Sequence, residues 1–295
     1  MMMERNDLET PRSLMDFSFW EDAWRKADKA VLRSRRREGL KGQEAFWNKR
    51  AEEFTGKVMP DQARVEEIID WLTAQGVQLT GSTILDVGSG PGAFTLPFAA
   101  RGARVVALEP AEAMIAALKE NLAGKEYPDQ VQVVKEFWET AHIHGRGWQG
   151  GFDLVFASMS PGINNWETIE KALKCSKKYC YFSSFAGERF STHHRSLWEI
   201  LYKEKMPPWP ADIIYVHQLL ILKGYDVTFH VWNRRRPETS NPREMVESFL
   251  GFFQQYGKET PSMEETIRDY VECHLEDGAF RHEITTRLGK VLVKL

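Results

Sequence analysis

Cysteine is scarce in this chain. Cys175, Cys180 and Cys273 are the three among 295 residues, and they form no CxxC pair or other metal spacing. An odd count without a framework excludes a disulfide scaffold and fits a reducing cytoplasm. Long apolar runs are missing as well. None approaches the roughly 18 to 20 residues of a membrane span, and the opening MMMERNDLETPR lacks the basic-then-apolar pattern of a signal peptide. A cytoplasmic protein with no membrane partner is the expectation. Neither sign of charge dominates: 39 Lys and Arg stand against 42 Asp and Glu, a net charge of -3. Nucleic-acid binders usually carry a basic excess, so that partner is disfavoured. No H-x-H or H-E-x-x-H spacing with further ligand partners occurs, and no metal is expected. Internal repeats and low-complexity segments are absent too.

What is present is apolar material. At 42% hydrophobic, the chain has enough for one large domain with a core. Its ten tryptophans are a high number; many would pack the core, and some would line a pocket for a flat or apolar ligand. Residues 1–12 read as a disordered tail. Phe17, Trp20, Trp24, Ala27 and Val31 recur at three or four and mark one helical face. The basic run Arg33 to Arg37 reads as a solvated helix end. "FWNKRAEEF" (46–54) leads into the helix "DQARVEEIIDWLTAQG" (61–76), whose last glycine suits a C-cap.

From residue 82 the pattern alternates. Strands are expected at STILDVG, RVVALEP, VQVVKEF, FDLVFASMS, KYCYFSSF and YDVTFHVW, with helices of about ten residues between them, and FRHEITTRLGKVLVKL closes the chain as a last strand. Pro97 belongs in the first turns of the helix after strand one, where a missing N–H is tolerable. Such alternation implies an α/β fold, a doubly wound seven-stranded mostly parallel sheet covered on both faces. Residues 242–275 read as a helical insertion before the final strand.

The chemistry concentrates in "ILDVGSGPGAFTLPFAARGARVVALEP" (84–110). In a doubly wound sheet the ligand sits at the carboxyl ends of the strands. Strand one ends at Asp86 to Gly88, and Gly88-Ser89-Gly90-Pro91-Gly92 lets the main chain approach a ligand where side chains would clash. Glu109, 19 residues beyond Gly90, stands where a carboxylate accepts hydrogen bonds from two ribose hydroxyls. GSGPGA satisfies the dinucleotide pattern G-x-G-x-x-A, which alone is weak. Three features count against NAD. Asp86 would put negative charge close to a pyrophosphate, the D-x-G-x-G-x-G spacing is tighter than the dinucleotide form, and no second dinucleotide half follows. A cationic nucleoside, a sulfonium carrying an ammonium group, would welcome Asp86. That description fits S-adenosylmethionine.

The stretches DVGSGPGAFTLPFA, VVALEPAEAMI and FDLVFASMS resemble the class I S-adenosylmethionine-dependent methyltransferases, over roughly residues 45–232 and the closing strand. The resemblance implies a Rossmann-like fold whose last strand is antiparallel and inserted between strands five and six. It implies a cytoplasmic transferase with S-adenosyl-L-methionine as cofactor. Asp86 would stand near the cofactor's amino group, with Gly88, Ser89, Gly90 and Gly92 around its methionine portion and ribose. Glu109 would hold the ribose, and Pro110 and Met114 would pack on the adenine. In VVKEFWET, Glu136 or Glu139 would read the adenine edge, with Phe137 and Trp138 against the ring. Ser158 would border the sulfonium end. Trp47 and Arg50 lie in an entry segment that resembles one reaching the cofactor in some members.

The acceptor is less legible. After strand four stands SMSPGINNWE in place of the N/D-P-P-Y/F motif of many amine and amide methylases. Ser160, Asn164 and Asn165 would form a polar wall of the acceptor pocket, the alternative being an ordinary turn with an N-cap. His193 and His194 are the candidates for a catalytic base, the alternative being surface or capping histidines. WNRRRPETSNPRE (232–244) reads as a solvated loop, or else as a cluster for an anionic substrate group or RNA. The flanks suggest an aromatic helical cap: Phe17, Trp20, Trp24, Phe46 and Trp47 from residues 1–60, with Phe249, Phe252, Phe253 and Tyr256 from an insertion at about 237–280 of the methyltransferase domain (61–295), the alternative being that these aromatics bury against the core or form a dimer interface. The expectation is methyl transfer to a small molecule by a monomer or homodimer. The rivals are an RNA or protein methyltransferase and a non-enzymatic cofactor-binding protein.

Overall fold

A computed structural model describes residues 12–31, 39–52, 62–187, 191–207, 212–256 and 260–295. The basic run Arg33–Arg37, the first eleven residues, the end of the 46–54 segment and the side chain of Tyr256 lie outside what is described.

Strands β1 (Thr83–Val87), β2 (Arg104–Leu108), β3 (Val131–Val134), β4 (Phe152–Ser158), β5 (Ser176–Phe185), β6 (Asp226–Ser240), β7 (Leu275–Glu276) and β8 (Ala279–Lys294) build one sheet. Its order is β3-β2-β1-β4-β5-β8-β6, with β7 pairing β8 off the path. β1 to β5 pair in parallel. β8 runs antiparallel between β5 and β6, as the resemblance implied. The eighth strand is new: the short hairpin turns through Asp277 and Gly278, both at positive φ. Asp-Gly is the residue pair that such a turn favours.

The helices lie on both faces. α3 (Gln62–Ala74) buries Val65, Ile68, Ile69 and Leu72, one stripe at helical spacing. It ends as the sequence anticipated. Gly76 takes φ 94°, Val77 N–H donates to the Leu72 carbonyl and Gly76 N–H to that of Thr73, the double closure of a Schellman cap. With α4 (Thr95–Ala100) it covers a core containing Phe98, Phe156 and Tyr181, the last two stacked at 4.5 Å. α6 (Trp166–Cys175) and α8 (Asp212–Leu222) cover the opposite face around Val155, Phe182 and Val291. α5 (Glu112–Leu122) lies beside β2 and is flanked by α2 (Gly39–Lys49).

Two expectations need correction. α1 (Phe17–Val31) does not roof the acceptor side. Phe17 meets Trp166 at 5.1 Å and Trp24 stacks on Tyr215 at 6.2 Å, so its aromatic face is buried against α6 and α8. Nor is WNRRRPETS a loop. β6 continues to Ser240 because β8 pairs with it along its whole length, from Asp226–Lys294 to Ser240–Phe280. Pro237 is tolerated because β6 is an edge strand. β5 stops at Phe185, opposite Leu288. Beyond that point the two strands continue as a free ribbon for about 25 Å, at some 3.3 Å per residue. It projects from the end of the sheet where β1 and β4 also finish. α7 (Thr192–Tyr202), α9 (Pro242–Tyr256) and α10 (Met263–Cys273) form a separate apolar cluster on it, with Phe249, Phe253, Ile267 and Phe280 at the centre. No helix among the described residues is long and apolar enough to cross a membrane.

Candidate functional site

The carboxyl end of β1 meets that of β2 through the glycine loop. Gly88, Gly90 and Gly92 all have positive φ, at 74°, 54° and 93°. Two of them also lack room for a side chain. A Cβ on Gly88 would lie 2.6 Å from Ser160 Oγ, and one on Gly92 would lie 2.4 Å from the methyls of Leu96 and Leu118. Gly88 and Ser89 both donate their N–H to the Leu108 carbonyl, which moors the loop to β2.

Glu109 is nearly inaccessible. Its Oε2 accepts from Gly90 N–H and its Oε1 from Ala111 N–H, each at 3.0 Å. These bonds aim the carboxylate at the loop and leave one lone pair per oxygen. Burial raises its pKa, and the two N–H donors oppose the rise. Asp86 is buried beneath the loop, with Thr95 Oγ1 donating to its Oδ2 at 2.6 Å. Burial pushes its pKa up to about 7; the Thr95 hydrogen bond opposes the rise and the charge of Glu109 adds to it. Such a carboxylate gains from a cation brought beside it. Ser89 Oγ is buried with no hydrogen-bond partner among the described residues. An orphaned hydroxyl at a glycine cradle calls for a ligand atom, so these residues fit a cationic nucleoside.

Around this centre the expected residues come together unevenly. Met114 is buried with Ala51 and Ala111, and Trp47 packs against them. Asn48 Oδ1 accepts from Ala113 N–H at 2.9 Å, which clamps α2 to the start of α5, next to Pro110. Phe137 is half-buried after β3. Trp138 turns away from the expected role. Its indole is 2% exposed, belongs to the core and donates to the Thr168 carbonyl at 3.0 Å. Glu136 pairs with Arg146 at 2.5 Å, and Glu139 accepts from Asn164 at 3.1 Å. Arg50 lies over Phe46, with its guanidinium 5.2 Å from the ring centre.

Ser158 Oγ meets Ser183 Oγ at 3.1 Å across β4 and β5. The chain then turns sharply through Met159, a non-glycine residue at φ 54°, and Ser160 comes back over Gly88. Such strain costs of order 1–3 kcal/mol and clusters at functional sites. Asn164 and Asn165 are committed elsewhere. Asn165 Oδ1 accepts from Thr168 N–H and completes a capping box for α6, while the Asn164 amide donates to Glu139 and Pro161. The two histidines belong to the apolar cluster of α7, α9 and α10. His194 is shut between Phe249 and Phe252, shares a hydrogen bond with Ser191, and burial pushes its pKa down to about 3. His193 shares one with Tyr270 at 2.9 Å. Among the described residues, no three His, Cys, Asp or Glu side chains come together to hold a metal.

Thr95, Met159 and Lys290 escaped the sequence reading. The signal for Thr95 was a hydroxyl in the first turn after the glycine loop. That for Lys290 was a lysine within the apolar stretch Leu288 to Val293 of the closing strand. Met159 carried none.

Residues 84–180 match the family model of a methyltransferase domain. A Mycobacteroides abscessus protein described as an uncharacterized methyltransferase is 47% identical over 60 residues, 20% of this chain and 22% of that protein. The chain is thus matched over about a fifth of that relative's length. The magnesium protoporphyrin IX methyltransferase of Synechocystis with bound S-adenosylhomocysteine has a TM-score of 0.45 at 16% identity, over 80% of this chain and 83% of that one. A phosphoethanolamine N-methyltransferase of Haemonchus contortus has a TM-score of 0.44 at 15% identity, over 78% and 52%.

Proposed function

From the premise that the chain carries a class I S-adenosylmethionine-dependent methyltransferase domain, we propose that it transfers the cofactor's methyl group to a small-molecule acceptor held beneath the helical cap. The observation that carries this reading is a pair of inaccessible carboxylates, Asp86 and Glu109, at one glycine loop whose Ser89 hydroxyl lacks a partner among the described residues. When bound, S-adenosylmethionine supplies an electrophilic methyl group on a sulfonium. The protein's part is alignment and exclusion of water.

Asp86 would balance the ammonium of the cofactor with Oδ1, the oxygen that Thr95 leaves unused. Glu109 would receive the two ribose hydroxyls on its remaining lone pairs. The main chain from Gly88 to Gly92 would hold the methionine portion and ribose, with the Ser89 hydroxyl as a further contact. Pro110, Met114 and Phe137, with Trp47 beside them, would hold the adenine, and Ser158 the sulfonium end. The acceptor enters from the side of Ser160, under the ribbon and its helices. No residue is assigned as general base, because His193 and His194 make their hydrogen bonds inside the cap.

The test is isothermal titration with S-adenosylmethionine, S-adenosylhomocysteine and NAD in parallel. Binding of the first two without NAD is expected. Binding of NAD alone would overturn the reading.

A further inference from the structure

Lys290 is a buried cation that the fold does not explain. Its side chain is 2% exposed. The ammonium lies 4.6 Å from the ring centre of Trp71 and 5.0 Å from that of Trp232. The carboxylate beside it belongs to Glu67, whose oxygen is 4.0 Å away on a side chain 59% exposed. That distance is beyond a hydrogen bond, and a carboxylate so exposed to water offers little compensation. Two π faces attract a cation but supply no acceptor lone pair. A lysine is rarely buried in this way unless paired. Burial lowers its pKa.

Its position in the sheet supplies a reason. Ser158 pairs in register with Ser183, and Ser183 with Lys290. Side chains paired across a sheet share a face. The three therefore form one row at the carboxyl end, one step above the stacked Phe156 and Tyr181. Lys290 is two strands from Ser158, about 10 Å at the usual strand spacing. That is the span of a small molecule. The half-buried indoles of Trp71 and Trp232 border the ammonium with apolar walls.

We propose that Lys290 is the anion-binding end of the acceptor pocket, so that the methyl acceptor is a small molecule bearing a carboxylate or phosphate group. This rests on the methyltransferase reading and deepens it. Anchored at Lys290, the acceptor reaches along the row of serines toward the sulfonium. The two indoles exclude water from the ion pair, which strengthens it. Glu67, at 4.0 Å and open to water, gives way to the incoming anion.

The test is calorimetric titration of the full chain with benzoate, phenyl phosphate and neutral benzamide, each with and without saturating S-adenosylhomocysteine. One of the two anions is expected to bind at least tenfold more tightly than benzamide, and which one does so separates carboxylate from phosphate acceptors. Lys290→Met should lose that binding by tenfold or more and keep its affinity for S-adenosylhomocysteine within twofold; Lys290→Arg should retain the anion. Glu67→Gln changes an exposed residue that does not endanger folding, and should tighten the anion severalfold. The proposal is overturned if neither anion binds, if benzamide binds equally, if Lys290→Met has no effect, or if Glu67→Gln weakens the anion. Failure of S-adenosylhomocysteine to bind wild type would instead sink the methyltransferase reading, and the titrations without it still read the subsite.

Discussion

The glycine-loop region and the ribbon-borne cap both bury titratable side chains, to different ends. Asp86 and Glu109 are held by one hydroxyl and two main-chain N–H groups, and each keeps lone pairs for something else. His194 is sealed by Phe249, Phe252 and Ser191. Burial with capacity to spare marks a place where a ligand completes the hydrogen bonding. Burial with the ring closed in marks packing. The comparison also has a boundary in the chain, because the family match ends at residue 180 and the cap follows it.

The contrast can be broken on either side. Phe249→Ala should open a cavity at the centre of the cap, at a cost of about 3–5 kcal/mol to that cluster. Hydrogen exchange should then quicken in α7, α9 and α10, while S-adenosylhomocysteine affinity changes less than threefold; a large loss of affinity would mean that the two regions act as one. Glu109→Ala strikes the other side. It removes the acceptor of two main-chain N–H groups and, on the proposed reading, the ribose anchor, and cofactor affinity should fall by about 100-fold, some 2.7 kcal/mol. Circular dichroism should remain that of the wild type.

A pH series sharpens the comparison. Asp86 must be charged to meet an ammonium, and its pKa is raised to about 7. Affinity for S-adenosylhomocysteine should therefore rise about tenfold from pH 6 to pH 8 and flatten above. The stability of the free protein should follow the opposite trend. Its folded state holds this proton more tightly than the unfolded chain does, so this contribution to stability declines as pH rises from the ordinary aspartate range to about 7. Asp86→Asn should abolish the pH dependence of binding. The smallest effect belongs to Asn165→Ala, which removes the capping box of α6 for about 1 kcal/mol. Thermal melting should register it with cofactor affinity unchanged. A drop in affinity would return Asn165 to the pocket wall.

Much of the fold was legible because it is local. Alternating apolar runs and helical stripes mark β1 to β5 and the helices between them, and Gly76 ends α3 where expected. Asp86, the three glycines and Glu109 were legible for a related reason: a tight turn at positive φ admits glycine most readily, and an acid at the end of the next strand reaches the loop over a fixed distance. Trp138, Asn164 and Asn165 were not. A tryptophan or an asparagine has the same identity whether it faces a ligand or a neighbouring carbonyl, and only the packing of α6 turned these inward.

The sequence by itself determined the glycine cradle, its two carboxylates and the alternation that builds a parallel sheet, since backbone sterics and side-chain period depend on near neighbours in the chain. Tertiary structure alone decided that the arginine-rich segment is a strand, that α1 lies on α6 and α8, and that Lys290 faces two indoles in line with Ser158. Each of these depends on which distant strand or helix lies alongside, and composition carries no record of that choice. β6 extends to Ser240 because β8, some fifty residues later, supplies hydrogen bonds along its whole length.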